Sequence, residues 1–264
     1  MAEDQVSRTA GPLQKAGHGQ GASCPGVFHC IRSSEMFATH PLVGVAMFIF
    51  GSLVFGILAH SVVTNGPLLA WDVPLANMLH TMAHDAPPWV DALMIAAYYI
   101  GNQFIAVIGV VLGIYFLRQH CWRELVMLVN GFALSAILFW VLVHTFDRPR
   151  PDFDVPVWRE QNLPSFPSGH AIAVACSYGL LLYFFVPKIS SRSRKIWVLV
   201  GGALVSLWVL FSRAYLGGHY LTDLVAGYAV GIAWSGLAHT VVEGICRKRK
   251  RVQPAQRSGL ALPR

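Results

Sequence analysis

Six long apolar stretches, separated by short polar segments, dominate the pattern of hydrophobic and polar positions along this chain. They run approximately over 42–63, 92–117, 125–146, 171–186, 196–211 and 221–242. Most approach the ~20 residues that a helix needs to cross a bilayer, and the fourth and fifth are expected to extend into their flanks. Continuous apolar runs, unlike alternating ten-residue segments, predict helices rather than a barrel. The chain is therefore predicted to be all-α, a polytopic bundle of six transmembrane helices.

Composition supports an integral membrane protein. Of 264 residues, 55% are hydrophobic and only 12% are charged, whereas about a quarter are charged in soluble domains. We expect a polar cytoplasmic segment at 1–38, a membrane domain at 39–245 and a basic cytoplasmic tail at 246–264. The first segment shows no signal-peptide pattern, so the first span is expected to stay as an anchor. Five cysteines without a C-x-x-C pair suggest neither a zinc site nor a disulfide framework.

The basic residues predict the orientation of the bundle. Six spans place both termini on one side, and sixteen of the twenty Lys and Arg residues lie on that side. The positive-inside rule makes that side cytoplasmic. Only Arg148, Arg150, Arg159 and Arg213 face the opposite side. The net charge of +7 is thus explained by membrane insertion, and no groove-reading motif suggests a nucleic acid partner.

Three short polar segments stand at junctions on the predicted outer face, and the first holds Arg148 and Arg150. Pro149 and Pro151 cannot continue a helix and favour extended backbone at the residue before each of them. Both guanidiniums are therefore held at the membrane edge, where they are candidate phosphate ligands. Arginines at a span end also snorkel to the interface, so this segment does not decide the function by itself.

The second segment, at 167–170, reads Pro-Ser-Gly-His just before the fourth apolar stretch. Ser168 is predicted to be the N-cap of a helix, and Gly169 allows an anion to approach the backbone N–H groups. A helix N-terminus of this kind attracts phosphate. His170, on the first turn, is a candidate proton donor to the same ligand.

The third segment, at 212–223, contains Arg213, a Gly-Gly break, and then His219 and Asp223 four residues apart. On a helix this spacing places both side chains on one face. A carboxylate behind a histidine fixes the tautomer and leaves the other nitrogen for attack or proton transfer. Two histidines and a carboxylate can also bind a metal, but phosphate-binding metal sites recruit several carboxylates, so no metal or other cofactor is expected.

With these residues the chain resembles the type 2 phosphatidic acid phosphatase superfamily, a family of membrane lipid phosphatases. The family signature is Lys-x6-Arg-Pro, Pro-Ser-Gly-His and Ser-Arg-x5-His-x3-Asp. The second and third parts are complete here, and the first is present as Arg150-Pro151. Val143 occupies the position of the family lysine. His144 is a poor substitute because neighbouring helical residues point about 100° apart.

The resemblance implies a metal-independent phosphatase in which His219 forms a phosphohistidine, Asp223 orients it and His170 acts as acid and base. The residues implied to hold the phosphate oxygens are Arg148, Arg150, Arg213, Ser168 and Gly169. The substrate is expected to be a phosphorylated lipid in the bilayer of a bacterial inner membrane. Polyprenyl diphosphate, phosphatidic acid and phosphatidylglycerophosphate remain open, as does the oligomeric state.

The same signature has other interpretations, and a neighbouring loop suggests one further hypothesis. Vanadium haloperoxidases share the signature, but they are soluble proteins. The six apolar spans of this chain argue against that class of enzyme. A lipid phosphotransferase or a non-catalytic transporter built on the same scaffold is the alternative that the missing lysine leaves open. A further hypothesis assigns Asp152, Asp154 and Glu160 to a loop over the site that repels heavily anionic headgroups.

Overall fold

The computed structural model describes residues 41–154, 156–158 and 163–258, and the regular structure within them is helical. The predicted segment 1–38 and the last six residues of the tail lie outside the described residues. The helices are α1 (Pro41–Thr64), α2 (Asp72–Asp85), α3 (Pro88–Arg118), α4 (Trp122–Phe146), α5 (Gly169–Phe184), α6 (Arg192–Tyr215) and α7 (Leu221–Ser258). Short 3-10 turns cover Pro67–Trp71 and Val186–Lys188.

Six helices in the described part of the chain are long and apolar enough to cross a membrane, which confirms the predicted fold class. They are α1, α3, α4, α5 with the turn that follows it, α6 and the first part of α7. The fourth span extends from Gly169 to Lys188 and the fifth from Arg192 to Tyr215, each into its polar flanks as expected. Large apolar side chains on these helices, such as Phe50, Val110 and Trp197, are more than half exposed and face the lipid.

Helix α2 is an element that the search for apolar stretches missed. It has 14 residues, too few to span a bilayer. Its buried residues, Asp72, Ala76, Leu79 and Ala83, recur at helical spacing and form one face. That face packs against α6 and α7. The helix therefore lies beside the junction where α6 ends and α7 begins.

Helix α7 is the centre of the bundle, and small residues allow its neighbours to approach closely. It packs mainly against α1 and α5. A Cβ atom added to Gly51 of α1 would lie 2.4 Å from the carbonyl oxygen of Ala229, and one added to Gly231 would lie 2.4 Å from Cβ of Ala175. Lipid tails are as apolar as the helix surfaces, so the hydrophobic effect does not drive these helices together. Dispersion between closely packed backbones stabilises their association instead.

Helices α3 and α4 each contain one π-helical turn, at Ile100–Phe104 and Asn130–Leu134. Both turns contact α5. A π turn inserts one residue into the helical repeat and so changes which side chains face a neighbour; such turns are frequent at functional sites. Here the two turns flank the same region of α5.

At the end of the bundle opposite the third polar segment, a buried charged cluster joins α4, α5 and α7. Arg123 forms an ion pair with Glu243, and the hydroxyl of Tyr183 donates to the same carboxylate over 3.3 Å. The guanidinium also lies 5.4 Å from the centroid of the Tyr183 ring. Because both charges are paired, the bundle tolerates a carboxylate within an apolar span.

The close contact of α1 with α7 generates the first prediction. Gly51→Ala places a methyl group against the backbone of α7 and should lower the free energy of unfolding by about 1–3 kcal/mol. Gly56→Ala is the matched control, since a Cβ there meets nothing within 4 Å on the same helix. Chemical unfolding of both variants in detergent micelles measures the difference. Equal stability of the two variants would contradict the packing described here.

Candidate active site

His219 stands just before α7, on a turn that depends on glycine. Gly217 has a φ angle of +75°, which a residue without Cβ adopts at no steric cost. The His219 side chain is buried, and its Nδ1 lies 2.9 Å from the carbonyl oxygen of Ser165. An N–H on Nδ1 donates to that oxygen, so Nε2 carries the lone pair. Nε2 is therefore the atom available as a nucleophile.

The predicted helical face shared by His219 and Asp223 is wrong, although the two side chains do lie close together. Helix α7 begins at Leu221, so His219 precedes the helix and the two residues do not share a helical face. Nδ1 of His219 lies 3.8 Å from Oδ2 of Asp223, beyond hydrogen-bond distance. The glycine turn sets this arrangement, and the Ser165 carbonyl, rather than the carboxylate, orients the ring. Whether Asp223 assists His219 stays a prediction.

Asp223 is fully buried, and both of its carboxylate oxygens accept hydrogen bonds. Oδ2 accepts the backbone N–H of Tyr220 over 2.9 Å, and Oδ1 accepts a terminal nitrogen of Arg148 over 2.6 Å. The first bond is one half of a capping box, in which the third helical residue reaches back to the N-cap. The positive end of the helix dipole also stabilises a carboxylate here. The capping bond and the helix dipole thus hold the Asp223 carboxylate at the first turn of α7.

Arg148 is held by carboxylates of the protein, and its contact with a phosphate stays a prediction. One terminal nitrogen donates to Asp223 and to the hydroxyl of Thr222, and the other donates to Asp72 over 2.8 Å. The guanidinium also lies 4.4 Å from the centroid of the Tyr220 ring. Both terminal nitrogens of Arg148 donate to carboxylates, one of which is that of Asp223 beside His219. The charge of the guanidinium is therefore paired within the protein.

Arg150 points toward His219. Its Nε donates to the carbonyl of Leu163 over 2.7 Å, and one terminal nitrogen donates to the carbonyl of Gly218 over 2.7 Å. The same terminal nitrogen lies 3.3 Å from Nε2 of His219. The two carbonyls hold the guanidinium beside the lone pair. A phosphoryl group bound at Nε2 would therefore meet this positive charge.

The Pro-Ser-Gly-His segment forms the N-terminus of α5, as predicted. The hydroxyl of Ser168 accepts the N–H of Ala171 over 3.5 Å, which confirms the N-cap. The backbone N–H of Ser168 donates to the backbone carbonyl of Asp223 over 3.0 Å. This bond joins the second polar segment directly to the first turn of α7. Gly169 lies against the Phe139 ring, which a Cβ would approach to 2.9 Å.

His170 lies on the first turn of α5 and carries a buried nitrogen. Its Nε2 has no hydrogen-bond partner among the residues that the structure describes. The ring stands 5.0 Å from that of Tyr98, which packs on one side of it. A buried, unpaired polar atom is costly in a native protein and is a reason to expect a ligand.

Arg213 is fully buried at the end of α6. Its guanidinium carbon lies 4.6 Å from the centroid of the Tyr98 ring. Tyr98, on α3, therefore contacts both Arg213 and His170 and holds them on a common support. A cation on an aromatic face in a site shielded from water is stabilised by about 2 kcal/mol.

Two cavities adjoin these residues. The first, which we call the membrane cavity, has a volume of about 490 Å³. His170, His219 and Arg150 line its polar end, and the rest of its wall comes from α3, α4 and α5, including Tyr98, Asn102, Ile105, Ala106, Phe132, Ala136 and Phe139. The walls of this cavity include both π turns. It therefore joins the two histidines to the apolar interior of the bundle.

The second cavity, which we call the roof cavity, has a volume of about 770 Å³ and lies over the first polar segment. Its lining includes Arg148, Arg150, Asp152 and Asp154. Two of the three carboxylates in the proposed charge filter thus face a cavity beside the site, and Glu160 lies outside the described residues. Whether these carboxylates select substrates stays a prediction.

Sequence reasoning missed several residues of this site. Asp72, Tyr98 and Asn102 lie outside the three polar segments, and Ser165 acts through its backbone carbonyl, which no side-chain pattern reveals. A carboxylate at the first turn of a short amphipathic helix was the one available signal for Asp72. Within the described residues, no group of three or more His, Cys, Asp or Glu side chains forms a candidate metal site.

Comparisons with known proteins identify relatives of this chain. The model of the PAP2 superfamily matches residues 124–245. Phosphatidylglycerophosphatase B of Bacillus subtilis is 32% identical over 169 residues, which cover 62% of this chain and 79% of the relative. Undecaprenyl-diphosphatase of Sulfolobus acidocaldarius is 26% identical over 158 residues, 58% of this chain and 71% of the relative.

A solved structure shows the same architecture. The crystal structure of a transmembrane PAP2 type phosphatidylglycerolphosphate phosphatase from Bacillus subtilis aligns with a TM-score of 0.62 at 29% identity. The alignment covers 78% of this chain and 96% of that structure. The first relative is 32% identical and is matched over 79% of its length, and the solved structure shares the fold of this chain. This chain therefore belongs to the PAP2 superfamily.

Proposed function

We propose that this protein is an integral membrane phosphatase that removes a phosphoryl group from a lipid phosphate or lipid diphosphate through a phosphohistidine. The observation that carries the proposal is the membrane cavity, which places two histidines and an arginine at one end of an apolar chamber. A phosphate at that end would have its lipid tail among side chains of the membrane spans. The relatives named above are phosphatases of lipid phosphates and diphosphates, which supports the same conclusion.

In the first step, Nε2 of His219 attacks phosphorus and forms an N–P bond. The bond from phosphorus to the leaving oxygen breaks, and His170 donates a proton to that oxygen. In the second step, His170 takes a proton from water, the water oxygen attacks phosphorus and the N–P bond breaks. Inorganic phosphate leaves and both histidines return to their starting state. General acid–base transfer of this kind contributes about 10²–10⁴-fold to the rate.

Positive groups surround the position of the phosphoryl oxygens. Arg150 lies beside Nε2 of His219, Arg213 is buried nearby on Tyr98, and the N-terminus of α5 presents the backbone N–H of Gly169. Such preorganised donors stabilise the charge that develops in the transition state. Ser168 contributes its position as N-cap, which keeps this helix terminus open to an anion.

The substitution at the family lysine does not remove this set. Val143 is fully buried, and His144 is exposed, with Nδ1 2.8 Å from the carbonyl oxygen of Trp140. Neither residue lines the membrane cavity. We therefore assign the phosphate to Arg150, Arg213 and the α5 N-terminus, without a lysine. One charge-assisted bond fewer weakens phosphate binding by about 1.5–3 kcal/mol.

The distribution of basic residues supports an active site on the non-cytoplasmic face. Arg118, Arg123, Lys188 and Arg192 lie in or next to the connections from α3 to α4 and from α5 to α6. The three polar segments lie at the opposite ends of the spans. By the positive-inside rule, His170 and His219 then face the outer side of the membrane in which the chain resides.

The two histidines should separate the two chemical steps. With a radiolabelled lipid diphosphate, His219→Ala should trap no label on the protein, because the nucleophile is absent. His170→Ala should accumulate alkali-stable label from the terminal phosphate, because the leaving group is a lipid monophosphate, which departs without much help from an acid, whereas water attack needs a base. An alkaline quench of single-turnover reactions, followed by counting of the protein-bound label, measures both.

His144→Ala is the matched control for this experiment, since His144 is an exposed histidine at the end of a neighbouring span. It should turn over at the wild-type rate. Label retained by His219→Ala would place the nucleophile elsewhere. Purified wild-type protein that releases no phosphate from polyprenyl diphosphate, phosphatidic acid or phosphatidylglycerophosphate would refute the proposed function.

The membrane cavity should accept the lipid tail. Ala106→Trp fills the cavity with an indole ring and should raise KM for a long-chain phosphatidic acid at least tenfold, because about 1.4 kcal/mol of tail burial or more is lost. Hydrolysis of a short-chain, water-soluble phosphomonoester should stay within about twofold, since the phosphate end is untouched. Steady-state kinetics in mixed micelles with both substrates provides the comparison.

Val107→Trp is the matched control for the tail experiment. Val107 is the next residue on α3, is 60% exposed and does not line the cavity. Its kinetics with both substrates should resemble those of the wild type. An equal rise in KM for the two tryptophan variants would show that the tail does not occupy this cavity.

A further inference from the structure

We propose that Asp72 is a positioning residue for the reaction, acting on His219 through Arg148 and Asp223. The inference rests on the proposed function and extends the site to a helix that lies outside residues 124–245, the part matched by the family model. Asp72 is the first residue of α2 and is 1% exposed. A carboxylate this deeply buried in a membrane protein is a candidate for a functional role.

Asp72 is bonded to α7 as well as to Arg148. Its Oδ1 accepts the backbone N–H of Thr222 over 3.1 Å, and its Oδ2 accepts the Thr222 hydroxyl. Thr222 lies in the first turn of α7, where backbone N–H groups have no partner within the helix. Asp72 therefore caps, from a different helix, the turn that carries Asp223.

Arg148 closes this arrangement into a ring. One terminal nitrogen donates to Oδ2 of Asp72 and the other donates to Oδ1 of Asp223, while the Thr222 hydroxyl accepts from the second nitrogen and donates to Asp72. Asp72, Thr222 and Arg148 thus each contact the other two, and Asp223 is joined to them through Arg148. The guanidinium is held in one orientation, and so is the carboxylate that faces His219.

The charges explain what Asp72 contributes beyond position. Two carboxylates share one guanidinium, so the ring keeps one formal negative charge when both are ionised. Asp223 lies 3.8 Å from Nδ1 of His219, and the imidazole becomes positive when Nε2 bonds to phosphorus. Without Asp72 the guanidinium would neutralise Asp223 alone, and this stabilisation of the phosphohistidine would be lost.

Asp72 does not act by touching the substrate. Neither Asp72 nor Thr222 lines the membrane cavity or the roof cavity. We therefore expect Asp72→Asn to lower kcat by about tenfold, the size of coupling that contacting charged residues show. KM for the lipid substrate should stay within about twofold, because no contact with the ground state is lost.

A double-mutant cycle of Asp72→Asn and Asp223→Asn tests the route of this effect. If Asp72 acts through Asp223, the tenfold loss of kcat seen with Asp223 present should shrink to less than about twofold in the Asp223→Asn background. A residue that only stabilises the fold would cost the same in both backgrounds. Unfolding in detergent, measured for all four proteins, identifies any variant that is not folded at the assay temperature.

Asp91→Asn is the matched control. Asp91 is a carboxylate near the same end of the bundle that accepts the Tyr215 hydroxyl over 2.9 Å and makes no described bond to Arg148 or Asp223. Its kcat should match that of the wild type. An unchanged kcat in Asp72→Asn, or an equal loss in both backgrounds, would overturn the inference.

Orthovanadate binding keeps this test separate from the proposed function. Vanadate imitates the trigonal-bipyramidal phosphoryl transition state, so its affinity depends on a correctly held His219. The affinity should fall about tenfold in Asp72→Asn and hardly change when the substitution is added to Asp223→Asn. A wild-type protein that releases no phosphate yet shows this vanadate cycle would refute the proposed substrates and retain the inference, whereas additive losses of affinity would overturn it.

Discussion

The site depends on one buried carboxylate, that of Asp223, at the first turn of α7. Its side chain accepts from Tyr220 and Arg148, and its backbone carbonyl accepts the N–H of Ser168. All three polar segments therefore meet at a single residue. An unpaired charge at the entrance to an apolar span would be strongly destabilising. The hydrogen bonds that pair the Asp223 carboxylate also hold it close to His219.

The bilayer imposes the rest of the arrangement. Because lipid provides no hydrogen bonds, the spans are helices, and glycines such as Gly51 and Gly231 let α1 and α5 pack closely on α7. Away from this tight core, the π turns of α3 and α4 line a cavity that begins at the histidines and continues among apolar side chains. The same fold thus combines a closely packed core with a cavity that has histidines and apolar side chains in its wall.

The two arginines of the first polar segment illustrate how neighbouring residues acquire different tasks. Arg150 is held by the carbonyls of Leu163 and Gly218 and lies beside Nε2 of His219. Arg148, two positions earlier, is held by carboxylates on the other side of the nucleophile. Their different hydrogen-bond partners hold the two side chains in different directions. One cation lies beside Nε2 of His219, and the other is paired with Asp72 and Asp223.

The sequence by itself determined the six spans, the N-cap at Ser168 and the three segments that hold the chemistry, because each of these is a local property of apolar length or of residues close along the chain. It did not determine the helix start at Leu221, the Ser165 carbonyl as partner of His219, or the pairing of Arg148 with Asp72. Those features depend on backbone groups and on contacts between residues up to 150 positions apart, such as Asp72 and Thr222. The packing of α2 against α6 and α7 brings Asp72 to Thr222 and Arg148, so the tertiary structure decided which charged side chains pair with each other.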